Sequence, residues 1–157
     1  MDDRELLEAI REHAYLEGDF VLRSGRRSRY YLDKYRFETR PELLDALAAA
    51  TSLRSGLPFL IVRKAQKDYG TANRLEGASE PGDCVCLIED VVTSGGAAAE
   101  AVEALREAGL QCRNAVCVVD REEGGIDALA RLAVRMWPIF TASDVTGAAK
   151  GPQKPHG

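Results

Sequence analysis

The stretch CLIEDVVTSGG, residues 86–96, decides how this chain folds. It begins with an apolar run, passes through the adjacent acids Glu89 and Asp90, and ends in the hydroxyl- and glycine-rich residues 93–96. A helical pattern follows directly, so the stretch predicts a strand, a tight turn and the start of a helix. Ligands of open parallel sheets bind beyond the carboxyl ends of the strands, and we therefore expect a ligand site at this turn.

The residues of the turn suit a phosphate group. Glycines such as Gly95 and Gly96 let the backbone approach closely, the hydroxyls of Thr93 and Ser94 donate hydrogen bonds, and a helix N-terminus favours an anion. The Walker and dinucleotide-binding glycine patterns are both absent. The two acids before the turn would repel phosphate, so they must bind another part of the same ligand. A ribose with a 5′-phosphate and a magnesium-bound diphosphate satisfies every part of the stretch.

Apolar runs and helical patterns alternate over the neighbouring chain. Runs typical of strands occupy residues 57–62, 84–88, 115–119 and 134–140, and helical spacing occupies residues 97–108 and 126–132. The first of these runs is typical of a strand that is buried on both faces. Strands that alternate with helices predict an α/β fold, with a mostly parallel sheet flanked by helices.

The N-terminal part of the chain has a different pattern. Residues 3–16 predict an amphipathic helix that Gly18 ends. Two short β-type runs, residues 20–22 and 30–32, predict a hairpin with a basic tip. Pro41 is typical of the start of a further helix.

Composition and charge limit the class of protein. The chain has 157 residues, of which 45% are hydrophobic, and a net charge of −4. This length predicts one domain, residues 1–146, and the Gly- and Pro-rich residues 147–157 predict a disordered tail. The acidic balance argues against a nucleic-acid partner, and the absence of a long apolar run argues against a membrane. The charged N-terminus is unlike a signal peptide, so we expect a cytoplasmic protein.

The four cysteines lack the spacing of a zinc site. Cys84 and Cys86 alternate along a predicted strand and therefore share one of its faces. We expect these two residues, like Cys112 and Cys117, to be small buried thiols in a reducing compartment.

In its strand context, the stretch 89–96 resembles the phosphoribosyl-diphosphate motif of type I phosphoribosyltransferases. Three further segments, residues 18–33, 62–77 and 119–125, are similar in content and order to motifs of the orotate phosphoribosyltransferase family. This resemblance covers residues 5–145. It implies the type I phosphoribosyltransferase fold, in which an N-terminal helix and hairpin form a hood over the site.

The resemblance also implies an activity. The phosphoribosyl group of 5-phosphoribosyl 1-diphosphate would be transferred to orotate, giving orotidine 5′-phosphate and diphosphate in pyrimidine (UMP) biosynthesis. Mg²⁺ would be the cofactor, carried mainly by the diphosphate and without a direct protein ligand. The enzyme would be a cytoplasmic homodimer with shared active sites.

Each matching residue receives a role from the resemblance. The catalytic residues would be Lys67, Arg63 and Asp90. Phosphoribosyl diphosphate would be bound by a mobile basic loop and by the phosphate-binding stretch, that is by Arg63, Lys64, Lys67, Tyr69, Glu89, Asp90, Val91, Val92, Thr93, Ser94, Gly95, Gly96 and Ala97. Orotate would be bound by Arg23, Tyr30, Tyr31, Thr93 and Arg121.

Taken singly, these residues also have plain structural interpretations. The acid pair of the stretch is compatible with helix capping, and Tyr30 and Tyr31 are compatible with packing in a sheet. Arg121 is compatible with a surface ion pair to Glu122 or Glu123. Four motifs in the order of the family favour the functional interpretation.

The chain departs from the family in three places. Tyr69 stands where a histidine is usual, and Arg23 where a lysine is common. After about Leu47, the chain lacks a buried strand and a cation-bearing loop, a stretch on the order of 25–30 residues. An omitted segment, a true internal deletion and replacement by another segment all fit this gap. The alternative function is therefore a catalytically impaired homologue that binds phosphoribosyl diphosphate or a nucleotide as a sensor.

Overall fold

The computed structural model describes residues 3–21, 25, 27–33, 48–63 and 74–147. Its helices and strands follow one another along the chain as α1 (Asp3–His13), β1 (Tyr15–Val21), β2 (Arg27–Leu32), α2 (Ala48–Ser55), β3 (Ile61–Val62), β4 (Leu75–Glu76), β5 (Cys84–Val92), α3 (Gly96–Glu107), β6 (Gln111–Asp120), α4 (Gly125–Arg131), β7 (Arg135–Thr141) and α5 (Ala142–Thr146).

A parallel sheet in the order β5-β6-β7 forms the centre of the fold. Leu87 lies opposite Ala115, and Ala115 lies opposite Met136. The helices α3 and α4 connect these strands, which confirms the predicted alternation of strands and helices. Because the strands are parallel, their carboxyl ends meet at the same edge of the sheet.

Small and aliphatic residues at helical spacing place α3 against this sheet. Ala98, Ala101, Val102 and Leu105 are buried on one face of the helix, in the same apolar cluster as residues of β5 and β6. The helix ends where Gly109 takes a left-handed φ of 82°, as the sequence predicts. The buried face thus fixes the helix whose N-terminus follows the phosphate-binding turn.

A second cluster packs α1 and the β1–β2 hairpin against the sheet. Ile10, Leu32, Val118 and Phe140 are buried together there. Nε of Arg11 donates a hydrogen bond of 2.8 Å to a carbonyl at the end of α5, which ties the last helix to the first. The N-terminal hood is therefore attached to the sheet through apolar contacts.

The predicted end of α1 is wrong. The helix ends at His13, and Gly18 lies inside β1. Tyr15 already pairs with Leu32, so strand pairing begins two residues after the helix. A Cβ on Gly18 would lie 3.0 Å from the Phe20 ring, and the register shifts between residues 17 and 20. The glycine therefore makes room for an aromatic ring at an irregularity in a strand.

The buried strand predicted over residues 57–62 is also wrong. Only Ile61 and Val62 form a strand, and they pair antiparallel with β4, outside the three-stranded sheet. Leu57 is 67% exposed and Ile61 is 52% exposed. A short apolar run carries no periodicity, so its sequence does not distinguish a strand buried on both faces from a segment at the surface.

Two of the four cysteines are placed differently from the prediction. Cys112 and Cys117 are buried, but Cys84 and Cys86 are exposed. The reason is that β5 is an edge strand in the described part of the sheet. This strand also runs on to Val92, so the two acids of the motif lie within it and not after it.

Several predictions fall outside the described residues. They concern the basic tip of the hairpin, the helix expected from Pro41, and residues 148–157 of the tail. The single domain over residues 1–146 stays a prediction. Within the ranges given above, no helix is long and apolar enough to cross a membrane.

Replacing Leu129 with alanine tests the assignment of core and surface. Leu129 in α4 is 0% exposed, so we expect Leu129→Ala to lower the free energy of unfolding by about 2–5 kcal/mol. Leu57→Ala removes the same atoms from an exposed side chain and should change the free energy of unfolding by less than about 0.5 kcal/mol. Urea unfolding followed by circular dichroism measures both changes, and equal losses would contradict the assignment.

Candidate active site

A cavity of about 1480 Å³ opens beside β5 and reaches the carboxyl end of the sheet. It exceeds the roughly 300–1,000 Å³ that is usual for a small-molecule pocket. Residues predicted for the donor and for the base both line it: Tyr31, Arg63, Glu89, Asp90, Val91, Thr93, Gly96, Ala97 and Arg121. The motifs that are separate in the sequence therefore meet at one place.

The turn between β5 and α3 presents the N-terminus of α3 to this cavity. Gly95 is the N-cap residue, with a left-handed φ of 80°, and its helix end has no side-chain cap among the described residues. A Cβ on Gly95 would lie 2.9 Å from Ala128 Cβ and 3.0 Å from Gly125 Cα, so a larger residue does not fit. Thr93 and Ser94 are exposed. Their hydroxyls and the first N–H groups of the helix form a site that suits an anion.

Asp90 has one satisfied and one unsatisfied carboxylate oxygen. Its Oδ1 accepts a hydrogen bond of 2.7 Å from the Val91 N–H. Its Oδ2, called the open oxygen below, is buried and finds no hydrogen-bond partner in the part of the chain that the structure describes. A buried acceptor without a partner lowers the free energy of unfolding by about 1–3 kcal/mol. A ligand that donates a hydrogen bond to it would remove this penalty.

Glu89 lies opposite Cys117 in the sheet, at the same end of β5. Burial, with smaller contributions from Asp120, Glu89 and Asp90, raises the pKa of the Cys117 thiol to about 12. The thiol is therefore neutral at physiological pH and behaves as a small apolar group beneath the acids.

Arg121 is a buried cation in the wall of the cavity. Its side chain is 5% exposed, its Nη2 lies 3.1 Å from Oε1 of Glu123, and its guanidinium carbon lies 4.9 Å from the centre of the Tyr30 ring. Nε and Nη2 nevertheless make no hydrogen bond within the described ranges. These two nitrogens, called the open edge below, form the side of a guanidinium that binds a carboxylate through two parallel hydrogen bonds.

The turn after β6 holds Arg121 in place. The Arg121 N–H donates to the Val92 carbonyl at 2.8 Å and so joins the ends of two strands. Glu122 has a left-handed φ of 57°, its N–H donates to Asp120 Oδ1 at 3.0 Å, and its carboxylate accepts from the Ser143 N–H at 2.8 Å. Burial raises the pKa of the Asp120 carboxyl, and the bond from Glu122 opposes that rise. The strained residue is thus held from both sides.

Arg63 and Arg74 flank the part of the predicted basic loop that lies outside the described residues. Nη1 of Arg63 forms an ion pair with Glu76, and its backbone N–H donates to the Arg74 carbonyl at 2.8 Å. Arg74 also lines the cavity, and its buried Nε has no hydrogen-bond partner among the residues described. Arg74 was not predicted as a site residue, although a cation directly before a strand, at the end of a basic loop, was a usable signal.

The two tyrosines of β2 contact different neighbours. Tyr30 stacks on Tyr15 with 5.9 Å between ring centres, and its face meets Arg121. Tyr31 lies 5.6 Å from the Phe20 ring and lines the cavity. Packing between rings is therefore observed for both residues, and both also reach the site.

Four of the predicted site residues, Arg23, Lys64, Lys67 and Tyr69, lie outside the described residues. Glu123 was considered only as a surface partner of Arg121, but its side chain is 16% exposed and belongs to the site. Its position two residues after the arginine, in a turn, was the signal that could have identified it.

Comparison with known proteins identifies relatives along the whole chain, although no family model matches it. The chain is 42% identical over 169 residues to the orotate phosphoribosyltransferase of Halobacterium salinarum, a match that covers 92% of this chain and 97% of that protein. It is 40% identical over 171 residues to the orotate phosphoribosyltransferase of Methanocella arvoryzae, over 92% and 98% of the two proteins. The crystal structure of orotate phosphoribosyltransferase from Aeropyrum pernix is similar with a TM-score of 0.74 and 28% identity, over 90% of this chain and 97% of that one.

The alignment lengths also measure the missing stretch. Because 92% of the 157 residues is about 144, about 25 of the 169 positions aligned with the Halobacterium protein have no counterpart here. This number agrees in size with the stretch predicted to be missing after about Leu47. The match still extends over nearly the full length of both proteins, with about two residues in five identical. The chain therefore belongs to the orotate phosphoribosyltransferase family.

Proposed function

We propose that this chain transfers the phosphoribosyl group of 5-phosphoribosyl 1-diphosphate to orotate, giving orotidine 5′-phosphate and diphosphate. It would be a pentosyltransferase of pyrimidine biosynthesis. One observation carries the proposal: a single cavity is lined by Gly96 and Ala97 at the N-terminus of α3, by Asp90 and by Arg121. Membership of the family supports it.

The donor would bind at the end of β5. Its 5′-phosphate would accept hydrogen bonds from the hydroxyls and N–H groups of residues 93–96. Its ribose hydroxyls would donate to Glu89 and Asp90, and the open oxygen of Asp90 would gain the partner that it lacks among the described residues.

Orotate would bind with its carboxylate against the open edge of Arg121. Two parallel charge-assisted hydrogen bonds fix both the position and the orientation of a planar acid. Tyr31 and Thr93 line the same cavity and would contact the ring. Arg23, which lies outside the described residues, stays a predicted base-binding residue. A fixed cation at this wall favours an anionic base over a neutral one.

The reaction breaks the bond between the anomeric carbon and diphosphate and forms a bond to a ring nitrogen of orotate. That nitrogen loses its proton, which the departing diphosphate or solvent takes up. Positive charge develops on the ribose, and the electron pair of the broken bond leaves with the diphosphate. Arg63, together with Lys64 and Lys67, would stabilise the leaving group, and Asp90 would stabilise the charged sugar. Exclusion of water from the cavity would protect the donor from hydrolysis.

Mg²⁺ is part of this proposal as an ion carried by the diphosphate. It prefers oxygen ligands and is often held by phosphates and one or two carboxylates while it keeps several waters. Asp90 lines the cavity, so its carboxylate would accept a hydrogen bond from one of these waters or from a ribose hydroxyl. The ion would neutralise charge on the departing diphosphate.

We further propose that the enzyme is a cytoplasmic homodimer with shared active sites. Apolar side chains on β7 support an interface, since Trp137 is 46% exposed and Ile139 is 40% exposed. The cytoplasmic location and the absence of nucleic-acid and membrane partners stay predictions from composition and charge.

A direct assay tests the reaction. Purified protein supplied with orotate, phosphoribosyl diphosphate and MgCl₂ is expected to consume orotate, measured as a loss of its absorbance. Chelation of the metal should slow this loss, because the leaving diphosphate would then lack its counter-ion. Heat-denatured protein is the control, and a rate no higher than that control would reject the proposed function.

Asp90→Asn tests the donor site. The amide keeps the size of the side chain but removes its charge, and hydrogen bonds to charged groups contribute about 1.5–3 kcal/mol. We expect kcat/KM for phosphoribosyl diphosphate to fall at least about tenfold, while the free energy of unfolding changes by less than about 1 kcal/mol. Asp127→Asn, at an exposed acid of α4, is the matched control. Equal losses of stability and activity would indicate a structural role.

Arg121→Lys tests the base site. Lysine keeps the charge but cannot form two parallel hydrogen bonds to one carboxylate. We expect KM for orotate to rise about tenfold, and KM for phosphoribosyl diphosphate to change less than about twofold. Arg131→Lys on the exposed side of α4 should leave both values unchanged. A similar rise in both KM values would place Arg121 outside the base site.

A further inference from the structure

Glu123 lies against the cation that we propose binds the base, but the proposed reaction gives it no role. Its Oε1 is 3.1 Å from Nη2 of Arg121, and the two side chains are 16% and 5% exposed. Burial of two charges is expensive unless their geometry compensates for the lost hydration. An acid that served only for solubility would lie at the surface. The burial of Glu123 therefore points to another role.

We infer that Glu123 is a positioning residue, which holds the Arg121 guanidinium so that its open edge faces the cavity. In this way Glu123 would make the base subsite selective for a pyrimidine that carries a carboxylate. The inference rests on the proposed function, because it concerns the base subsite of that reaction.

The backbone around Glu123 directs its carboxylate back towards Arg121. Glu122 and Gly124, on its two sides, have left-handed φ values of 57° and 100°. The chain therefore reverses within a few residues. Gly125 follows and lies so close to the end of β5 that an added Cβ would meet the Val92 side chain and would lie 2.9 Å from the Thr93 carbonyl oxygen. The turn that carries Glu123 is thus fixed against the strand that carries the phosphate-binding turn.

The guanidinium of Arg121 is oriented from several directions. Glu123 lies beside Nη2, and the Tyr30 ring lies 4.9 Å from the guanidinium carbon. The backbone of the same residue is fixed as well, because its N–H donates to the Val92 carbonyl. The contact with Glu123 is an ion pair and not an aligned hydrogen bond, since Nη2 makes none within the described part of the chain. Glu123 contacts the guanidinium only at Nη2, which carries a second N–H, so that N–H and the Nε–H are left for a ligand carboxylate.

The charge of Glu123 also determines what the subsite selects. Glu123 neutralises the buried cation. The Arg121–Glu123 pair therefore attracts an anion less strongly than an isolated arginine would. Affinity must then come mainly from the two aligned hydrogen bonds at the open edge. A carboxylate makes both bonds, whereas a base without one leaves buried donors unsatisfied and is rejected.

Equilibrium binding of two nucleotides tests the inference without turnover. Orotidine 5′-phosphate and uridine 5′-phosphate differ only in the carboxylate on the base. By titration calorimetry, we expect the unsubstituted protein to bind the first at least about tenfold more tightly. Glu123→Gln should reduce this ratio about fivefold or more, with less than about a twofold change in the Kd of uridine 5′-phosphate. Glu103→Gln, on the exposed side of α3, is the matched control and should keep the ratio.

Several outcomes would overturn the inference. The first is an affinity ratio of the two nucleotides that is unchanged or increased in Glu123→Gln. The second is an equal loss of affinity for both nucleotides in that variant. The third is equal affinity for both nucleotides in the unsubstituted protein. Glu123→Asp keeps the charge and shortens the side chain, so it allows the same comparison if Glu123→Gln does not fold. An unchanged affinity ratio in Glu123→Asp also counts against a positioning role. A protein that fails the orotate assay but shows the expected ratios would reject the proposed function and support this inference.

Discussion

The site depends on one close approach, that of the turn after β6 to the end of β5. The Arg121 N–H donates to the Val92 carbonyl, and Gly125 packs against Val92 and Thr93 so closely that no side chain would fit. This approach places a helix N-terminus, which favours an anion, beside a buried guanidinium, which also favours one. The sheet and its two crossover helices provide the rigid frame that keeps the two anion sites at a fixed separation.

Incomplete hydrogen bonding of buried charges is the second feature of the site. The open oxygen of Asp90, the open edge of Arg121 and Nε of Arg74 are all buried without hydrogen-bond partners in the described portion of the chain. Each such atom opposes folding by about 1–3 kcal/mol, so the protein is less stable than a fully paired version would be. A ligand that offers donors to the acid and acceptors to the arginines removes these penalties on binding. In the proposed complex, the same atoms that lower the stability of the free protein would supply affinity for the ligand.

Local pattern sufficed to predict the long elements and the residues of the motif. α3 followed from apolar residues at helical spacing and from Gly109. The position of Asp90 and Arg121 near the carboxyl end of the sheet followed from what comes after each apolar run. The roles suggested for these two residues came from the resemblance to the family and stay predictions. Prediction failed where contacts between distant segments decide the outcome. Glu123 was not identified as a site residue because its burial depends on the left-handed turn at Glu122, and a non-glycine residue in that conformation has no reliable signal in the sequence.

Two of the failed predictions share one physical cause. The run 57–62 and the pair Cys84 and Cys86 have the composition of strands covered on both sides, but they are exposed beside the free edge of β5 in the described part of the sheet. About 25 positions aligned with the Halobacterium relative have no counterpart in this chain. A strand missing at the predicted place, after about Leu47, would leave that edge without a neighbour. The composition is that of a covered strand, and the absence of the predicted neighbouring strand would account for its exposure. The backbone bond that holds Arg121 joins the ends of β5 and β6, on the other side of β5 from its free edge, so that bond does not depend on what covers the edge.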